Sequence, residues 1–351
     1  MHSVTIKDIA GKIGVSYSSV SRALGGKPGV RDDVRQKVLM QARDMGYFPN
    51  TLARSLVLRR SLSIGLVVPD ITNPFFSEVA RGAAARSKES DYAIILCDTH
   101  YDLRQEQQYC RMLFEKRVDG IVIAPVTSAI EAELEQYRFP VVYINAVPSI
   151  CRSYVNLNHV HGAFLATRHL FDAGYRRVAC LLGDRMMASS KQSRLFGYKQ
   201  ALAECGRNPS EERILHADTD LKSYPAIIEQ ALDGDRGFDA VFCTNDVLAL
   251  NLLQTARQMC IDVPGRLGIV GFDGIPFTAY PGVNLSTIVY PKYQMGHEAV
   301  RICLEEIGGA FIAGSSFKNK TGGAKAVSAL TLDCTLEARE TSRGPAVKPV
   351  I

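Results

Sequence analysis

A short segment near the start of the chain carries side chains that could hydrogen-bond a nucleic acid. Residues 16–22 include one tyrosine, four serines and one arginine. An arginine can grip guanine through two parallel hydrogen bonds, and hydroxyl groups bond either base edges or phosphate oxygens. The candidate DNA contacts in this region are Thr5, Ser16, Tyr17, Ser18, Ser19, Ser21 and Arg22.

The residues before this segment predict a first helix. Thr5 and Asp8 have the spacing of a capping box, in which each side chain satisfies a backbone N–H of the other. Apolar residues recur at helical spacing over 6–13. Gly14 suits the left-handed backbone of a tight turn and ends the helix.

A second helix then positions the candidate contacts. Ser16 can cap its N-terminus, and Val20, Ala23 and Leu24 form its buried face, so the polar side chains point outward. A third apolar stripe predicts another helix that stops at Gly46. This pattern indicates a helix-turn-helix, which presents the start of its second helix to the major groove.

The charge distribution favours DNA binding over a plain three-helix bundle. Residues 1–60 contain eleven Lys or Arg and four Asp or Glu, a net charge of +7. The whole chain has +5, so the remaining residues carry −2. Basicity confined to one small domain is typical of nucleic-acid binding.

At this point the chain resembles the lactose-repressor (LacI/GalR) family of bacterial transcription regulators. The matching motifs are Thr5–Ala10, Gly14–Ser16, Ser19–Arg22 and Gly46–Asn50, and the resemblance continues to about Arg339. It implies that Tyr17, Ser18 and Arg22 are the main base-reading residues.

The resemblance also implies a hinge helix over residues 50–56 that enters the minor groove of the operator. Its candidate contacts are Asn50, Ala53, Arg54 and Leu56. A leucine inserted at a central base step would kink the duplex. The alternative for Leu56 is an ordinary packing role in a helix.

Composition points to a soluble protein and offers no enzyme motif. The sequence shows no signal peptide and no apolar run long enough for a membrane span, so we expect a cytoplasmic chain without a membrane partner. Nine dispersed cysteines without a C-x-x-C pair indicate free thiols rather than a metal site. No P-loop or nucleophile elbow is present, so we expect no catalysis, cofactor or metal.

After residue 60, apolar runs alternate with helical patterns in two consecutive sets, which predicts an α/β core of two Rossmann-like subdomains. The resemblance adds a periplasmic-binding-protein-like arrangement with three crossings. The expected organisation is a headpiece at 1–49, a hinge and linker at 50–60, a core at 61–340 and a disordered tail at 341–351. The core would divide into an N-subdomain near 61–159 and 290–322, and a C-subdomain near 160–289 and 325–340.

Parallel sheets bind ligands at the carboxyl ends of their strands, so the cleft between two such sheets is the expected effector site. Candidate polar and aromatic residues follow the strands there. The resemblance implies that Arg194 and Asp273 grip the effector. The full candidate set is Phe75, Asn145, Ser190, Arg194, Asn245 and Asp273.

The effector remains open at this stage. A carboxylate and a guanidinium suit a sugar or related polyhydroxylated metabolite. However, Thr219 stands where the family often has a stacking aromatic residue, and an acidic ligand would need further cations such as Arg185 or Lys191. Asp246 is interpreted either as a helix cap or as a ligand contact.

The expected protein is therefore a homodimeric repressor that binds a pseudo-palindromic operator under the control of a small molecule. One alternative keeps the DNA-binding role but makes a partner protein the effector, docking near residues 290–293 and Arg301. The other alternative, a solute-binding protein of a transporter, would share the core but would need a signal peptide and would lack residues 1–60.

Overall fold

The computed structural model describes residues 4–47, 60–137, 139–183, 188–208, 212–217, 222–234, 237–312 and 327–344. The chain forms two compact units, Met1–Ser61 and Leu62–Ile351. Each unit has its own hydrophobic core. No helix in the described ranges has the length and apolar character needed to cross a membrane.

The first unit is a three-helix domain. Its helices are α1 (Ile6–Ile13), α2 (Tyr17–Leu24) and α3 (Asp32–Asp44). Their shared core consists of Ile9, Ala10, Val20, Ala23, Val38 and Ala42. The apolar stripes predicted from the sequence therefore meet in one cluster, as helical spacing requires.

The caps of these helices follow the predicted chemistry. Thr5 and Asp8 form the capping box, with the Thr5 backbone nitrogen 2.8 Å from the Asp8 carboxylate. Gly14 has φ of 74°, the left-handed conformation that ends α1. The Ser16 hydroxyl accepts a hydrogen bond from the Ser19 backbone N–H and so caps α2.

The second unit contains two six-stranded sheets with helices packed on them, which confirms the predicted fold class. The first sheet has strands β1 (Ser63–Val68), β2 (Ala93–Asp98), β3 (Gly120–Ile123), β4 (Val141–Ile144), β5 (Tyr154–Leu157) and β11 (Ala329–Leu332), in the order β11-β5-β4-β3-β1-β2. All its neighbouring strands are parallel. Its strands are joined through α4 (Pro74–Lys88), α5 (Leu103–Glu115) and the short α6 (Glu131–Glu135).

The second sheet repeats this plan. Its strands are β6 (Val178–Gly183), β7 (Ile214–Ala217), β8 (Ala240–Cys243), β9 (Gly268–Asp273), β10 (Ser286–Val289) and β12 (Thr335–Glu337), in the order β12-β10-β9-β8-β6-β7. Strand β12 runs antiparallel to β10, and the other pairs are parallel. The helices are α7 (His159–Asp172), α8 (Ala188–Glu204), α9 (Tyr224–Ala231) and α10 (Asp246–Gln258), and α11 (Lys292–Ile312) returns to the first sheet.

The chain passes between the two sheets three times: from β5 to α7, from β10 to α11, and from β11 to β12. The third crossing corrects the predicted boundary. Residues 325–340 were assigned to the C-subdomain, but β11 pairs with β5 in the first sheet. The sequence of a four-residue strand does not show which sheet the strand joins, because that depends on the distant strand with which it pairs.

The predicted disordered tail at 341–351 is also wrong at its start. Glu340–Ser342 forms a 3₁₀ turn in which Thr341 and Ser342 are buried. The Thr341 hydroxyl donates to the Ile269 carbonyl at 2.8 Å, and Ser342 bonds Ser286 at 2.6 Å. These hydroxyl contacts order a segment that has no apolar pattern. Residues 345–351 lie outside the described residues.

Candidate functional sites

The headpiece presents the candidate DNA contacts on an exposed face of α2. Tyr17, Ser18, Ser21 and Arg22 are exposed, and Tyr17 has 56% of its surface accessible. Ser19 is half-buried. An exposed tyrosine of this size on a helix whose opposite face is fully buried fits a contact surface better than a packing role.

Two of the candidate DNA contacts, Thr5 and Ser16, also use their hydroxyl groups in hydrogen bonds within the headpiece. The Thr5 hydroxyl donates to Asp8 at 2.7 Å, and Ser16 bonds both Ser18 and Ser19 at 2.9 Å. These groups hold the helix N-termini, where backbone N–H groups favour phosphate. Asn50, Ala53, Arg54 and Leu56 lie outside the described residues.

The second site is a cleft between the two sheets of the core, and it gathers all six predicted effector residues. The cavity has a volume of about 40 Å³. It is lined by Phe75, Asn145, Ser190, Arg194, Asn245 and Asp273, together with Pro69, Asn73, Phe76 and Tyr101. Sequence reasoning did not identify Tyr101, which follows β2 in a left-handed conformation with φ of 60°.

Local structure explains how each side chain reaches the cleft. Phe75 lies in the first turn of α4, which Asn73 caps by accepting from the Phe75 N–H at 3.0 Å. Ser190 and Arg194 lie one turn apart on α8, so they share one helix face. Asn145 follows β4 and Asp273 ends β9, both at the carboxyl ends of parallel strands.

Arg194 is the centre of the site. It is 4% exposed, and its guanidinium lies 3.6 Å from the Asp273 carboxylate and 3.8 Å from the centre of the Phe272 ring. It also donates to the backbone carbonyl of Thr244. Burial lowers the pKa of Arg194, but an arginine stays protonated in proteins. The cleft therefore holds a fixed, desolvated positive charge next to a carboxylate.

His159 is a participant that sequence reasoning missed. Its Nδ1 accepts from Arg194 Nε at 3.3 Å, and its Nε2 lies 3.4 Å from the Ser190 hydroxyl. Burial, and then the Arg194 charge, lower the pKa of His159 well below its ordinary value. The ring is therefore neutral and carries its proton on Nε2, which donates to Ser190. Ser190 in turn donates to the Asn145 carbonyl at 3.3 Å, which links the two subdomains across the cleft.

Asp273 is held in a strained position. Its φ is 120°, a region that non-glycine residues rarely adopt and that concentrates at functional sites. Burial raises the pKa of Asp273 to about 7, against the opposing effect of Arg194. A buried carboxylate whose nearest cation is 3.6 Å away retains capacity to accept hydrogen bonds from a ligand.

Asn145 shows an unused acceptor in the same cavity. The residue is 8% exposed and has φ of 57°. Its side-chain Oδ1 is buried and has no hydrogen-bond partner among the described residues. Because a buried orphan acceptor costs about 1–3 kcal/mol, the group is well suited to a ligand that supplies an O–H or N–H donor.

The structure rejects both interpretations of Asp246. Asn245 is the cap of α10, since its Oδ1 accepts from the Leu248 N–H at 2.8 Å. Asp246 is fully buried and accepts from the Ile275 N–H at 2.8 Å and from the Thr287 hydroxyl at 2.6 Å. It therefore anchors the loop that follows Asp273.

A second space of about 320 Å³ adjoins this cavity. Asn73, Tyr101 and Asn245 line both spaces, and Asp70, Thr72, Val247 and Leu248 line the second space alone. Among the described residues that line either space, Arg194 is the single cation. Lys191 lines neither, and Arg185 and Thr219 lie outside the described residues.

The surface considered for a partner protein forms an open groove of about 560 Å³ that includes Tyr290–Gln294 and Arg81. Arg81 lies 5.5 Å from the Tyr293 ring centre. Arg301 is already paired with Glu298 at 2.7 Å and with Glu305 at 2.6 Å, which reduces its availability to an acidic partner. None of the nine cysteines, all of which lie in the described ranges, forms a disulfide bond, and these ranges contain no cluster of metal-ligating side chains.

A helix-turn-helix unit combined with a two-sheet core and a central cleft defines a class of ligand-responsive regulators. Two family descriptions match the chain: "Bacterial regulatory proteins, lacI family" over residues 5–50, and "Periplasmic binding proteins and sugar binding domain of LacI family" over residues 61–325. The chain therefore belongs to the LacI family.

Named relatives extend over most of the chain. It is 32% identical to the transcriptional repressor CytR of Escherichia coli K12 over 89% of this chain and 92% of the relative. It is 34% identical to the transcriptional regulator DegA of Bacillus subtilis over 85% and 89%. A solved complex of the regulator CelR with cellobiose is 25% identical with a TM-score of 0.67, covering 96% of this chain and 99% of that one.

A Lac repressor dimer bound to operator and an anti-inducer has the same fold. Its TM-score is 0.81 at 21% identity, over 97% of this chain and 99% of the other.

Proposed function

We propose that this protein is a transcriptional repressor whose affinity for operator DNA is controlled by a small molecule bound in the cleft. The observation that carries the proposal is the convergence of six effector-site candidates on one cavity, in a chain that also has a helix-turn-helix. Its relatives at 32–34% identity are named transcriptional repressors or regulators.

DNA recognition would use the exposed face of α2 in the major groove, with Tyr17, Ser18 and Arg22 at the bases. The hinge residues Asn50, Ala53, Arg54 and Leu56 would bind the minor groove. A homodimer would match the two halves of a pseudo-palindromic operator, as in the solved Lac repressor dimer with its operator. The site of action would be the cytoplasm, and the function would involve no catalysis.

The effector would be an uncharged molecule rich in O–H or N–H donors. Asn145 Oδ1 and the Asp273 carboxylate offer acceptors, whereas Arg194 and the Asn245 amide offer donors. The one described cation of the cleft already faces Asp273, which disfavours phosphorylated ligands. A carbohydrate or related metabolite fits this chemistry, and related regulators were solved with cellobiose and ribose.

A thermal-shift panel tests this proposal. Neutral mono- and disaccharides and nucleosides would be compared with their phosphates on the full-length protein. A ligand at 100 times its Kd stabilises the native state by about 2.7 kcal/mol, which gives a clear rise in Tm. Neutral ligands should raise Tm in the wild type and in Lys199→Met, which breaks a half-buried ion pair with Glu212 away from the cleft lining, but not in Arg194→Met.

Two outcomes would contradict the cleft as the effector site. One is a ligand that stabilises Arg194→Met as well as the wild type. The other is stabilisation by phosphates alone. If no small molecule bound at all, the partner-protein alternative at the Tyr290–Gln294 groove would gain support, and substitution of Arg81 would then be expected to weaken repression.

A further inference from the structure

One buried tyrosine ties two of the three crossings between the subdomains together. Tyr290 lies in the second crossing and is 2% exposed. Its hydroxyl donates to the Asn158 carbonyl in the first crossing at 3.0 Å. The first and third crossings also bond directly, from the Asn158 N–H to the Leu332 carbonyl at 3.1 Å.

A buried lysine two residues later ties the subdomains a second time. Lys292 is the first residue of α11 and is 7% exposed. Its ammonium group donates to the backbone carbonyls of Asp273 at 2.5 Å and Gly274 at 2.7 Å, both in the C-subdomain. A third carbonyl, that of Tyr290, lies at 3.4 Å. The three donors of the ammonium therefore face three carbonyls at the carboxyl end of β9 and in the second crossing.

Lys292 moves with the body of the N-subdomain because α11 packs tightly on α4. A Cβ at Gly82 would lie 1.9 Å from the Tyr293 carbonyl oxygen, and one at Gly296 would lie 1.9 Å from the Val79 carbonyl oxygen. Such backbone contact leaves the two helices no room to slide. Helix α4 also carries Phe75, so one rigid unit contains both Lys292 and a wall of the cleft.

The same two residues reach the cleft from the C-subdomain side. The Tyr290 ring packs on the Phe272 ring with a centroid distance of 5.1 Å. The Arg194 guanidinium also contacts Phe272, at 3.8 Å from the ring centre. Lys292 holds the carbonyl of Asp273, whose side chain lines the cavity. A ligand at Arg194 and Asp273 would therefore contact residues that Tyr290 and Lys292 hold directly.

We propose that Tyr290 and Lys292 act together as positioning residues that set the angle between the two subdomains. Tyr290 bonds the second crossing to the first, which in turn bonds the third, and Lys292 fixes the N-subdomain to the backbone of the Asp273 loop. Both residues are more than nine-tenths buried, so water compensates poorly for the loss of their bonds. The link between this angle and repression rests on the proposed function, but the angle itself can be measured without DNA or effector.

Native cysteines allow that measurement by spin labelling. Cys151, in the N-subdomain between β4 and β5, and Cys260, in the C-subdomain after α10, are exposed, whereas six others are buried. Cys205 is half-buried and would be changed to serine in every sample. In samples diluted with unlabelled protein, so that a dimer carries labels on one subunit, the distance distribution between labels on Cys151 and Cys260 then reports the angle between the subdomains in the full chain.

Tyr290→Phe and Lys292→Met should each broaden or shift this distribution beyond the spread of repeated wild-type measurements. Tyr198→Phe is the matched control for the tyrosine, because its hydroxyl donates to the Val178 carbonyl at 2.8 Å within one subdomain. Lys199→Met is the control for loss of a lysine charge. Both controls should keep the wild-type distribution, even where Tyr198→Phe lowers Tm.

The proposal is overturned if Tyr290→Phe and Lys292→Met both keep the wild-type distribution. It is also overturned if the two controls change the distribution as much as these two variants do. Should Lys292→Met fail to fold, as judged by circular dichroism, Tyr290→Phe still decides, because it removes one hydroxyl and keeps the ring packing.

Discussion

The headpiece and the cleft position their polar side chains in opposite ways. On α2 the main base-reading candidates Tyr17, Ser18 and Arg22 are exposed, lie within six consecutive residues and depend on a short helix with a buried opposite face. In the cleft the candidates come from separate strands and helices, and Arg194 and Asp273 are almost completely buried. An exposed side chain can be removed with little effect on its neighbours, whereas a buried charge depends on every partner. Substitutions in the cleft should therefore have the larger effects.

Asp273→Ala should give the largest effect. The substitution leaves the Arg194 charge buried without its partner carboxylate, which lowers the free energy of unfolding by about 3–5 kcal/mol. It should also abolish the response to the effector while leaving operator binding intact. Urea unfolding and DNA-binding titrations with and without ligand measure the two effects.

Asp172→Ala is the control, because Asp172 pairs with Arg168 at the surface, where such a pair contributes less than about 1 kcal/mol. A fully responsive Asp273→Ala variant would remove Asp273 from the effector site and would erase the difference between buried and exposed positions.

Arg22→Ala should affect DNA binding and leave the core unchanged. Loss of an arginine that grips a base weakens specific binding by about 1–3 kcal/mol. For nonspecific binding, the slope of log affinity against log salt concentration should fall by the equivalent of one phosphate contact. Arg43→Ala, on the last turn of α3, removes the same exposed charge and is the matched control. If the two variants lose equal specific affinity, Arg22 acts as a general cation and not as a base reader.

Effector affinity should depend on pH through Asp273. A carboxyl with a pKa of about 7 is about nine-tenths ionised at pH 8 and about one-tenth at pH 6, so affinity should fall about tenfold over that range. Affinity falls in acid because it is the ionised carboxylate that accepts hydrogen bonds from ligand hydroxyls. The charged or titratable groups around Asp273 are Arg194, Asp246, Lys292, Tyr290 and, beyond Arg194, His159.

Calorimetry across this pH range measures the effect. Asp273→Asn, which does not titrate, should bind more weakly with a flat profile. A wild-type affinity that is constant, or that rises in acid, would show that the ligand does not use the carboxylate as an acceptor.

Ser16→Ala should have the smallest effect. Loss of the α2 cap costs about 1 kcal/mol, which corresponds to about fivefold faster hydrogen exchange of the α2 amides. Ser21→Ala, within the same helix, removes a hydroxyl without removing the cap and should leave the exchange rates nearly unchanged. Equal exchange in the two variants would mean that the three-serine cluster at the α2 N-terminus does not stabilise the helix.

The same contrast explains what could be predicted from the sequence. The Thr5–Asp8 capping box and the Gly14 turn are local, so residue spacing alone identified them. Arg194 and Asp273 were identified through the family resemblance, because their contact spans distant parts of the chain. His159 was missed, and Lys292 was considered only as part of a docking surface, since a histidine or lysine at a helix start gives no sign of its tertiary partners. Strand β11 was misassigned for the same reason.

Selection of bound fragments from a random DNA library at about 0.15 M salt, where phosphate contacts alone bind weakly, tests the central claim most directly. The account predicts a pseudo-palindromic motif whose recovery falls or rises when a ligand from the thermal-shift panel is added. Recovery of no common motif, both with and without such a ligand, would contradict the assignment of the protein as a sequence-specific, effector-controlled repressor.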